Sequence, residues 1–205
     1  MKSYIYLIIF TYINTINCYI YKYTTLSNKY IRKLIINDKK MPSVYINENM
    51  NLKDYSLEHI YPICRMNNKY HKYDMHNIIK TSKYLNSARS DYSFGNYISN
   101  TNIIKLYNNN FLDHKLKLFI PNNIYKGIIS RIIMYMTYTY NYDINNIIDI
   151  KVLLEWYYNY PPTKEEIYRN NIIKNIQKNS NLFIELYNDS TLINRYINFI
   201  KKNDI

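Results

Sequence analysis

Glycine is scarce in this sequence, in which only 2 of 205 residues are of this type. The phosphate-binding loops of dinucleotide-binding folds and of P-loop nucleotide hydrolases depend on glycines at fixed spacings. The scarcity of glycine therefore excludes both of these nucleotide-binding classes.

Cysteine is equally rare, with Cys18 and Cys64 as the two examples. Two cysteines cannot build the disulfide framework on which many small secreted domains depend. Neither cysteine stands in a C-x-x-C pair or in a histidine-rich stretch, so we expect no zinc site. We expect Cys64 to be a small buried residue.

The sequence also lacks a hydrophobic run of the about 20 residues that a transmembrane helix needs. A shorter apolar run covers residues 4–13, between a start that contains Lys2 and a polar stretch that ends at Cys18. This order is typical of a secretory signal peptide. We predict a signal peptide over residues 1–18 and no membrane span after its removal.

Two alternatives stay open for this leader, because no Ala-x-Ala cleavage site is present. In the first alternative the apolar run is a buried strand, and in the second it is an uncleaved anchor that tethers the protein to a surface. A functional signal implies a secreted, lumenal or periplasm-like location, whereas the protein is cytoplasmic if the leader does not function.

Basic residues outnumber acidic ones, with 27 Lys and Arg against 15 Asp and Glu, which gives a net charge of +12. Such an excess is typical of proteins that bind a polyanion. The mean hydropathy of −0.42 argues against a multi-span membrane protein. The length predicts a single domain over residues 19–205.

The middle of the chain predicts two strands and a short helix. The segment SLEHIYP, residues 56–62, reads as a strand that ends at a proline, and DMHNIIK, residues 74–80, reads as a second strand. Residues 82–90 predict a short helix. Residues 21–55 show only a weak pattern.

The C-terminal half is helical by its apolar period and by a capping box that starts at Thr163. The predicted helices run from residues 121–126 to at least 136, over residues 144–157, and over residues 163–178. Together these elements predict an α+β fold, with a small strand pair against a mainly helical C-terminal half.

Four residues supply the side chains that an Mg²⁺-assisted hydrolase needs: Glu58, His59, Asn86 and Arg89. Mg²⁺ takes carboxylate and amide oxygens, a neutral histidine draws a proton from water near neutral pH, and a guanidinium clamps phosphate oxygens. Neighbours on a strand point to opposite faces. Glu58 and His59 can therefore serve one phosphate only if the strand ends or twists there.

These residues belong to an ordered series of short motifs. The series is EHIYP from Glu58, DMHNI from Asp74, LNSARSDYSFG from Leu85, KGIISRIIMYM from Lys126, LLEW from Leu153, RNNII from Arg169 and QKNSNLFI from Gln177. In this order, over residues 56–185, it resembles the endonuclease I family of ββα-metal nucleases. The resemblance implies a small two-stranded ββα-metal motif packed against the helical half.

The resemblance also implies roles for the residues at the motif positions. His59 takes the place of the general base, and Glu58 and Asn86 take the places of metal ligands. Arg89 takes a catalytic place, with a phosphate-binding role or a structural one. We expect Mg²⁺ as the cofactor, with Mn²⁺ or Ca²⁺ as alternatives.

Five further residues receive predicted roles. Arg65, Lys126 and Arg131 are predicted to contact nucleic acid, with packing as the alternative for Arg131. Asp74 and His76 are predicted to orient the second strand rather than to bind metal. These assignments follow from the family motifs and from the positive charge of the chain.

The chain departs from the family pattern at several positions. Lys72 stands where some members carry a carboxylate that has been considered as the proton donor to the leaving group, so the general acid stays open. Lys178 replaces a glycine, which predicts a changed turn at a helix end. The other histidines, His71 and His114, are predicted to be structural or surface residues.

The resemblance implies a metal-dependent endonuclease with little sequence preference. Such enzymes hydrolyse phosphodiester bonds of DNA, and some members also those of RNA, to 5′-phosphate products. No stable protein partner is implied. The alternative from another functional class is a catalytically inactive homologue that binds nucleic acid by charge alone.

Overall fold

The computed structural model describes residues 28–47, 50–96 and 102–203, so the predicted leader lies outside the described residues. The described part is an α+β fold, as the sequence predicts. Its helices are α1 (Asn28–Asn37), α2 (Lys83–Arg89), α3 (Asn123–Tyr140), α4 (Ile150–Asn159), α5 (Lys164–Gln177), α6 (Leu182–Glu185) and α7 (Ser190–Asn203). Its strands are β1 (Tyr55–His59), β2 (Ile78–Ser82), β3 (Ser93–Phe94), β4 (Ile103–Lys105), β5 (Phe111–Asp113) and β6 (Leu118–Ile120).

The strand pair β1–β2 and the helix α2 form one ββα unit. The strands are antiparallel, with Glu58 opposite Ile79 and His59 opposite Ile78. Helix α2 follows β2 directly because Ser82 caps it, accepting a hydrogen bond from the Leu85 amide at 3.1 Å. The helix packs against both strands. This unit confirms the predicted order of strand, strand and short helix.

The second strand begins four residues later than predicted. Residues 75–77 form a turn, in which the Asp74 carboxylate accepts a hydrogen bond from the His76 amide at 2.8 Å. An aspartate that binds the backbone two residues ahead favours a turn over a strand. The first strand ends at His59, three residues before the predicted end at Pro62. It therefore ends at the point where the sequence requires an end or a twist for Glu58 and His59 to serve one phosphate.

A second sheet, in the order β3-β6-β5-β4, is absent from the prediction. Its strands are two or three residues long. Strands of this length are too short to show a period of two in the sequence. β5 pairs antiparallel with both of its neighbours, whereas β3 pairs parallel with β6.

Helix α3 is the centre of the hydrophobic core. It is buried on all sides from Tyr125 to Thr137, which explains why its apolar residues are not confined to one stripe. Helix α4 begins at Ile150 instead of residue 144, because Asp149 caps it by accepting bonds from the amides of Lys151 and Val152. Ile144, Ile147 and Ile148 are core residues in the non-helical segment before α4.

The predicted cap of α5 at Thr163 is confirmed, since the Thr163 hydroxyl accepts a hydrogen bond from the Glu166 amide at 3.2 Å. The reciprocal half of a capping box is not formed, because both oxygens of the Glu166 carboxylate bind Arg131. At the other end of α5, Lys178 has φ 63° and ψ 20°, the left-handed conformation that a glycine readily adopts. The predicted change of the turn is therefore wrong. The chain keeps a left-handed helix end and places a lysine in it.

Helices α1 and α7 are also missing from the prediction, although each buries an apolar face. Ile31 and Ile35 of α1 pack beside Ile78 of β2, and Tyr196 of α7 lies in the main core. In the described parts of the chain, no helix has both the length and the apolar character of a transmembrane segment. Cys64 is exposed, so its predicted burial is wrong.

Candidate active site

Glu58 lies in the interior of the ββα unit, with only 2% of its surface exposed. Two groups contact its carboxylate, and both contact the same oxygen, Oε1. The Tyr45 hydroxyl donates to it at 3.2 Å, and the Arg89 Nη1 lies 3.3 Å away. Among the described residues, none donates to Oε2. One carboxylate oxygen is thus fixed by the protein and the other is left as an acceptor.

Asn86 is held by both hydrogens of its amide nitrogen. Its Nδ2 donates to the Ser56 hydroxyl at 2.9 Å and to the Leu57 carbonyl at 3.0 Å. These partners are the two residues that precede Glu58 on β1. Because both amide hydrogens point to β1, Oδ1 points away from these contacts, and no donor within the described ranges reaches it. The amide of Asn86 is therefore oriented with a free oxygen beside the Glu58 strand.

His59 is the last residue of β1, and its ring contacts the loop between the strands. Its Nε2 lies 2.8 Å from the Lys72 carbonyl oxygen. A carbonyl can only accept, so Nε2 carries the hydrogen and Nδ1 is the unprotonated nitrogen of the neutral ring. No described group bonds to Nδ1. Burial lowers the pKa of His59 below its usual 6.5, and the positive charges of Arg89 and Lys72 act in the same direction.

The Arg89 guanidinium connects the end of β1 to the Glu58 carboxylate. It donates to the carbonyls of His59 and Ser90, each at 3.2 Å, and to the Ile60 carbonyl at 2.7 Å. It also covers the ring of Phe94, with 4.6 Å to the centroid. The side chain is 2% exposed. This geometry favours the structural role over the phosphate-binding one, because the guanidinium has no surface on which to receive a phosphate.

The buried Glu58 carboxyl is hard to ionise without further positive charge. Burial raises its pKa from 4.5 to about 7, while the Arg89 charge and the Tyr45 hydroxyl partly offset this effect. The same Arg89 charge acts on His59. One guanidinium thus contacts the Glu58 carboxylate and the His59 backbone carbonyl, so Arg89 links these two neighbours of β1.

The oxygens of Glu58 and Asn86 fit a hard divalent cation such as Mg²⁺. Oε2 and Oδ1 receive no hydrogen bond from any described residue, whereas the remaining polar atoms of these side chains are occupied. Mg²⁺ commonly binds through one or two protein oxygens and keeps several waters. The described residues contain no cluster of three or more His, Cys, Asp or Glu side chains that would hold a metal ion. The site formed by Glu58 and Asn86 has one carboxylate oxygen and one amide oxygen, so it is not a cluster of that kind.

Asp74 and His76 lie at the turn that leads into β2. The Asp74 carboxylate accepts hydrogen bonds from the hydroxyls of Tyr135 and Tyr140 and from the amide nitrogen of Gln177. His76 is buried against Tyr135 and its Nε2 donates to the Asn179 carbonyl at 3.2 Å. Burial lowers the pKa of His76 to about 4, so the ring is neutral. These contacts tie the turn before β2 to the helical half.

Arg131 and Lys126 do not contact the surface. Arg131 is 1% exposed and forms a two-pronged ion pair with Glu166, in which both nitrogen–oxygen distances are 2.6 Å. Lys126 is buried and donates to the Asn96 side chain at 2.8 Å. The prediction that these two residues contact nucleic acid is therefore wrong. For Arg131 the packing alternative applies, since its ion pair joins α3 to α5.

Arg65 differs from these two arginines because it reaches the surface. It follows β1 in a short 3-10 turn, residues 63–65. Its side chain is 32% exposed and lies 3.8 Å from the Asp91 carboxylate. The structure thus leaves Arg65 accessible at the end of the strand that carries Glu58 and His59, and its contact with nucleic acid stays a prediction.

Three groups near the site escaped the sequence analysis. Tyr45 is one of 27 tyrosines, and nothing in its neighbourhood marks it. The Lys72 carbonyl is a backbone group and has no sequence signal. Lys83 is exposed on α2, three residues before Asn86 and hence on the same side of the helix. The three-residue spacing between Lys83 and Asn86 is the sequence signal that places Lys83 near the site.

Comparison with known proteins shows the family of this chain. A family model described as Endonuclease I matches residues 11–187. An Endonuclease-1 from Buchnera aphidicola subsp. Baizongia pistaciae (strain Bp) is 31% identical to this chain over 117 residues. That similarity covers 54% of this chain and 45% of the relative, so it spans less than half of the relative's length. The match to the family model covers most of the chain, and the chain therefore belongs to the endonuclease I family.

Proposed function

We propose that this protein is a metal-dependent endonuclease that cleaves nucleic acid with little sequence preference. The proposal rests on the hydrogen bonding of three side-chain atoms. Within the described parts of the chain, no protein group bonds to Oε2 of Glu58, Oδ1 of Asn86 or Nδ1 of His59, while the other polar atoms of these side chains are held. Membership of the endonuclease I family supports the same function.

Glu58 and Asn86 are the residues that would hold the divalent cation in this proposal. When bound, such a cation supplies positive charge to the scissile phosphate and to the departing oxygen. Mg²⁺ is the ion that the oxygen ligands favour, with Mn²⁺ or Ca²⁺ as alternatives. Arg89 keeps the Glu58 carboxylate oriented by its contact with Oε1.

His59 acts as the general base. Its Nδ1 accepts a proton from the water that attacks phosphorus, and the bond from phosphorus to the 3′ oxygen breaks. The 3′ oxygen takes a proton from solvent water, which leaves a 3′ hydroxyl and a 5′-phosphate, and His59 returns its proton to solvent. The Lys72 carbonyl holds the hydrogen on Nε2 and stabilises the imidazolium that forms. Because the pKa of His59 is lowered, the base is unprotonated at neutral pH.

The net charge of +12 supports nucleic acid as the substrate. DNA is the expected substrate, and RNA is the alternative that uses the same phosphodiester chemistry. Arg65 and Lys83 are exposed on the unit that carries Glu58, His59 and Asn86. We assign phosphate contacts to these two residues. Contacts with phosphate alone carry no sequence information.

A plasmid-nicking assay tests the proposed activity. We expect the wild-type protein to nick supercoiled DNA with Mg²⁺ and to stop when a chelator is added. His59→Ala should lower the rate by roughly 10²–10⁴-fold, while DNA affinity changes little. Nicking that persists in His59→Ala, or in the presence of the chelator, would contradict the mechanism. A wild-type protein that binds but never cuts would support the inactive homologue.

We also propose that residues 1–18 are a signal peptide and that the mature protein works outside the cytoplasm. The apolar run after Lys2 supports this proposal. N-terminal sequencing of the protein from its native cell tests it. A mature chain that still starts at Met1 would favour the uncleaved anchor or a cytoplasmic enzyme, and cell fractionation distinguishes these two.

A further inference from the structure

Tyr45 is fully buried, and its hydroxyl donates to Oε1 of Glu58 at 3.2 Å. Its ring packs against Phe119 of β6, with 4.7 Å between the centroids. Tyr45 lies in the segment before β1 and contacts both the second sheet and the ββα unit. Its ring packs on the sheet, and its hydroxyl bonds to the carboxylate that we assign to metal binding.

The backbone at Tyr45 is in a conformation that tyrosine rarely adopts, with φ 67°. Side chains from the turn before β5 hold it there, because Asn108 and Asn110 each donate to the Tyr45 carbonyl, at 3.1 and 2.8 Å. The preceding residue, Val44, is bound on both sides by β2. Its amide donates to the Lys80 carbonyl, and its carbonyl accepts from the Thr81 hydroxyl. A bulky residue kept in such a conformation is often found at functional sites.

Tyr45 and Arg89 approach the same carboxylate oxygen from different parts of the fold. Arg89 belongs to α2, whereas Tyr45 is held by β2 and the second sheet. Two donors on Oε1 restrict rotation of the carboxylate and direct the lone pairs of Oε2 away from them. A core tyrosine that only needed a partner for its hydroxyl would not require an unfavourable backbone conformation.

We propose that Tyr45 is a positioning residue for the metal ligand Glu58. Its hydroxyl holds Oε1 so that Oε2 is presented to the divalent cation. This inference rests on the proposed function, since it assumes that Glu58 binds the cation. It extends the site beyond the family motifs to a residue in the segment that precedes β1.

The test uses Tyr45→Phe, which removes the hydroxyl and keeps the ring. The first measurement is Mn²⁺ binding to the DNA-free full-length protein, followed by the loss of the free-Mn²⁺ electron paramagnetic resonance signal. We expect the dissociation constant to rise about tenfold, as for the loss of one hydrogen bond to a charged group. The second measurement is plasmid nicking, in which a high Mn²⁺ concentration should restore most of the lost rate.

Tyr196→Phe is the matched control. It removes another buried tyrosine hydroxyl, which bonds to Thr137 in the helical half at 3.0 Å. Thermal unfolding should show a small loss of stability in both variants, but only Tyr45→Phe should bind Mn²⁺ more weakly.

Glu58→Gln distinguishes a failure of the proposed role of Tyr45 from a failure of the proposed metal site. If the wild-type protein binds Mn²⁺, Glu58→Gln abolishes binding and Tyr45→Phe binds like the wild type, the positioning role is overturned while the metal site stands. If Glu58→Gln and the wild-type protein bind Mn²⁺ equally, the proposed metal site itself is wrong. If Mn²⁺ binding is weakened equally in Tyr45→Phe and Tyr196→Phe, the positioning role is also overturned. The weaker binding would then result from the loss of stability that both variants share.

Discussion

His59 donates its Nε2 hydrogen to the backbone carbonyl of Lys72, across 2.8 Å. This bond determines which ring nitrogen is the base. The carbonyl belongs to the loop between β1 and β2, so the length and course of that loop orient the imidazole. Because the acceptor is a backbone group, this bond does not depend on the side chain of Lys72.

The first prediction concerns the tautomer of His59. We expect the neutral ring to carry its hydrogen on Nε2 at pH 7, because the Lys72 carbonyl can only accept. Nitrogen-15 NMR of histidine-labelled protein should show a protonated Nε2 and an unprotonated Nδ1. His59→Gln identifies the signals among the four histidines. The opposite tautomer in the free protein would remove the base from its assigned place.

Much of the ββα unit could be predicted from the sequence, because its motifs have fixed spacings. The EHIYP motif contains the end of β1, the DMHNI motif contains the turn before β2, and Ser82 before Leu85 supplies a local cap for α2. The role of Arg89 could not be settled in this way. An arginine looks the same in sequence whether it meets a phosphate or three carbonyls, and only the fold shows which of these surrounds it.

Residues that are distant in sequence account for most of the other errors. Glu166 lies 35 residues after Arg131, and nothing local links the two, so the buried ion pair is visible only when α5 packs against α3. The four-stranded sheet escaped notice for a different reason. Its strands have two or three residues each, and their stability comes from pairing rather than from their own apolar pattern.

The second prediction concerns the pH dependence of stability in the absence of metal. The pKa of Glu58 is about 7 in the folded protein, above the 4.5 of an unfolded chain. Between these values the folded state holds a proton that the unfolded state has lost. The stability that this group contributes is complete below pH 4.5 and is lost as the pH rises through 7.

Glu58→Gln isolates this effect, because glutamine does not titrate. The free energy of unfolding of the wild type, minus that of Glu58→Gln, should fall between pH 4.5 and 8 in denaturant titrations. The contributions of the histidines cancel in this difference, because the wild type and Glu58→Gln contain the same histidines. A difference that rises with pH would mean that the Glu58 carboxylate is favoured in the folded state, contrary to its burial.

The third prediction links the same carboxyl to metal affinity. A cation binds the ionised carboxylate, so it competes with the proton on Glu58. Below pH 7 we expect the apparent Mn²⁺ affinity to increase about tenfold for each pH unit, and above pH 7 to level off. Isothermal titration calorimetry at several pH values measures this slope. A flat profile between pH 5.5 and 7 would show that the ligand is already ionised.

The fourth prediction concerns Arg89 as the partner of Glu58. Arg89→Met leaves a buried carboxyl without its cation and three backbone carbonyls without a donor. We expect a loss of about 3–5 kcal/mol in the free energy of unfolding at pH 8. The loss should be smaller at pH 5, where Glu58 is protonated. Denaturant titrations at both pH values, with Lys201→Met as a control on an exposed lysine, measure the difference.

The fifth prediction separates arginines and lysines that bind phosphate from those that only stabilise the fold. Arg65 and Lys83 are accessible on the ββα unit. We therefore expect Arg65→Ala and Lys83→Ala each to lower the salt dependence of DNA binding by about one released counterion. Arg131→Met should destabilise the protein but leave the salt dependence unchanged in the molecules that fold.

Fluorescence anisotropy with a labelled duplex, measured from 50 to 200 mM salt in calcium-free buffer with a chelator, gives these slopes without cleavage. Lys201→Ala removes the same charge from α7, which packs against α3 rather than on the ββα unit. If Lys201→Ala lowers the slope as much as Arg65→Ala, nucleic acid contacts the whole basic surface. The assigned phosphate contacts then follow from the net charge alone, because a diffuse electrostatic interaction does not distinguish one exposed cation from another.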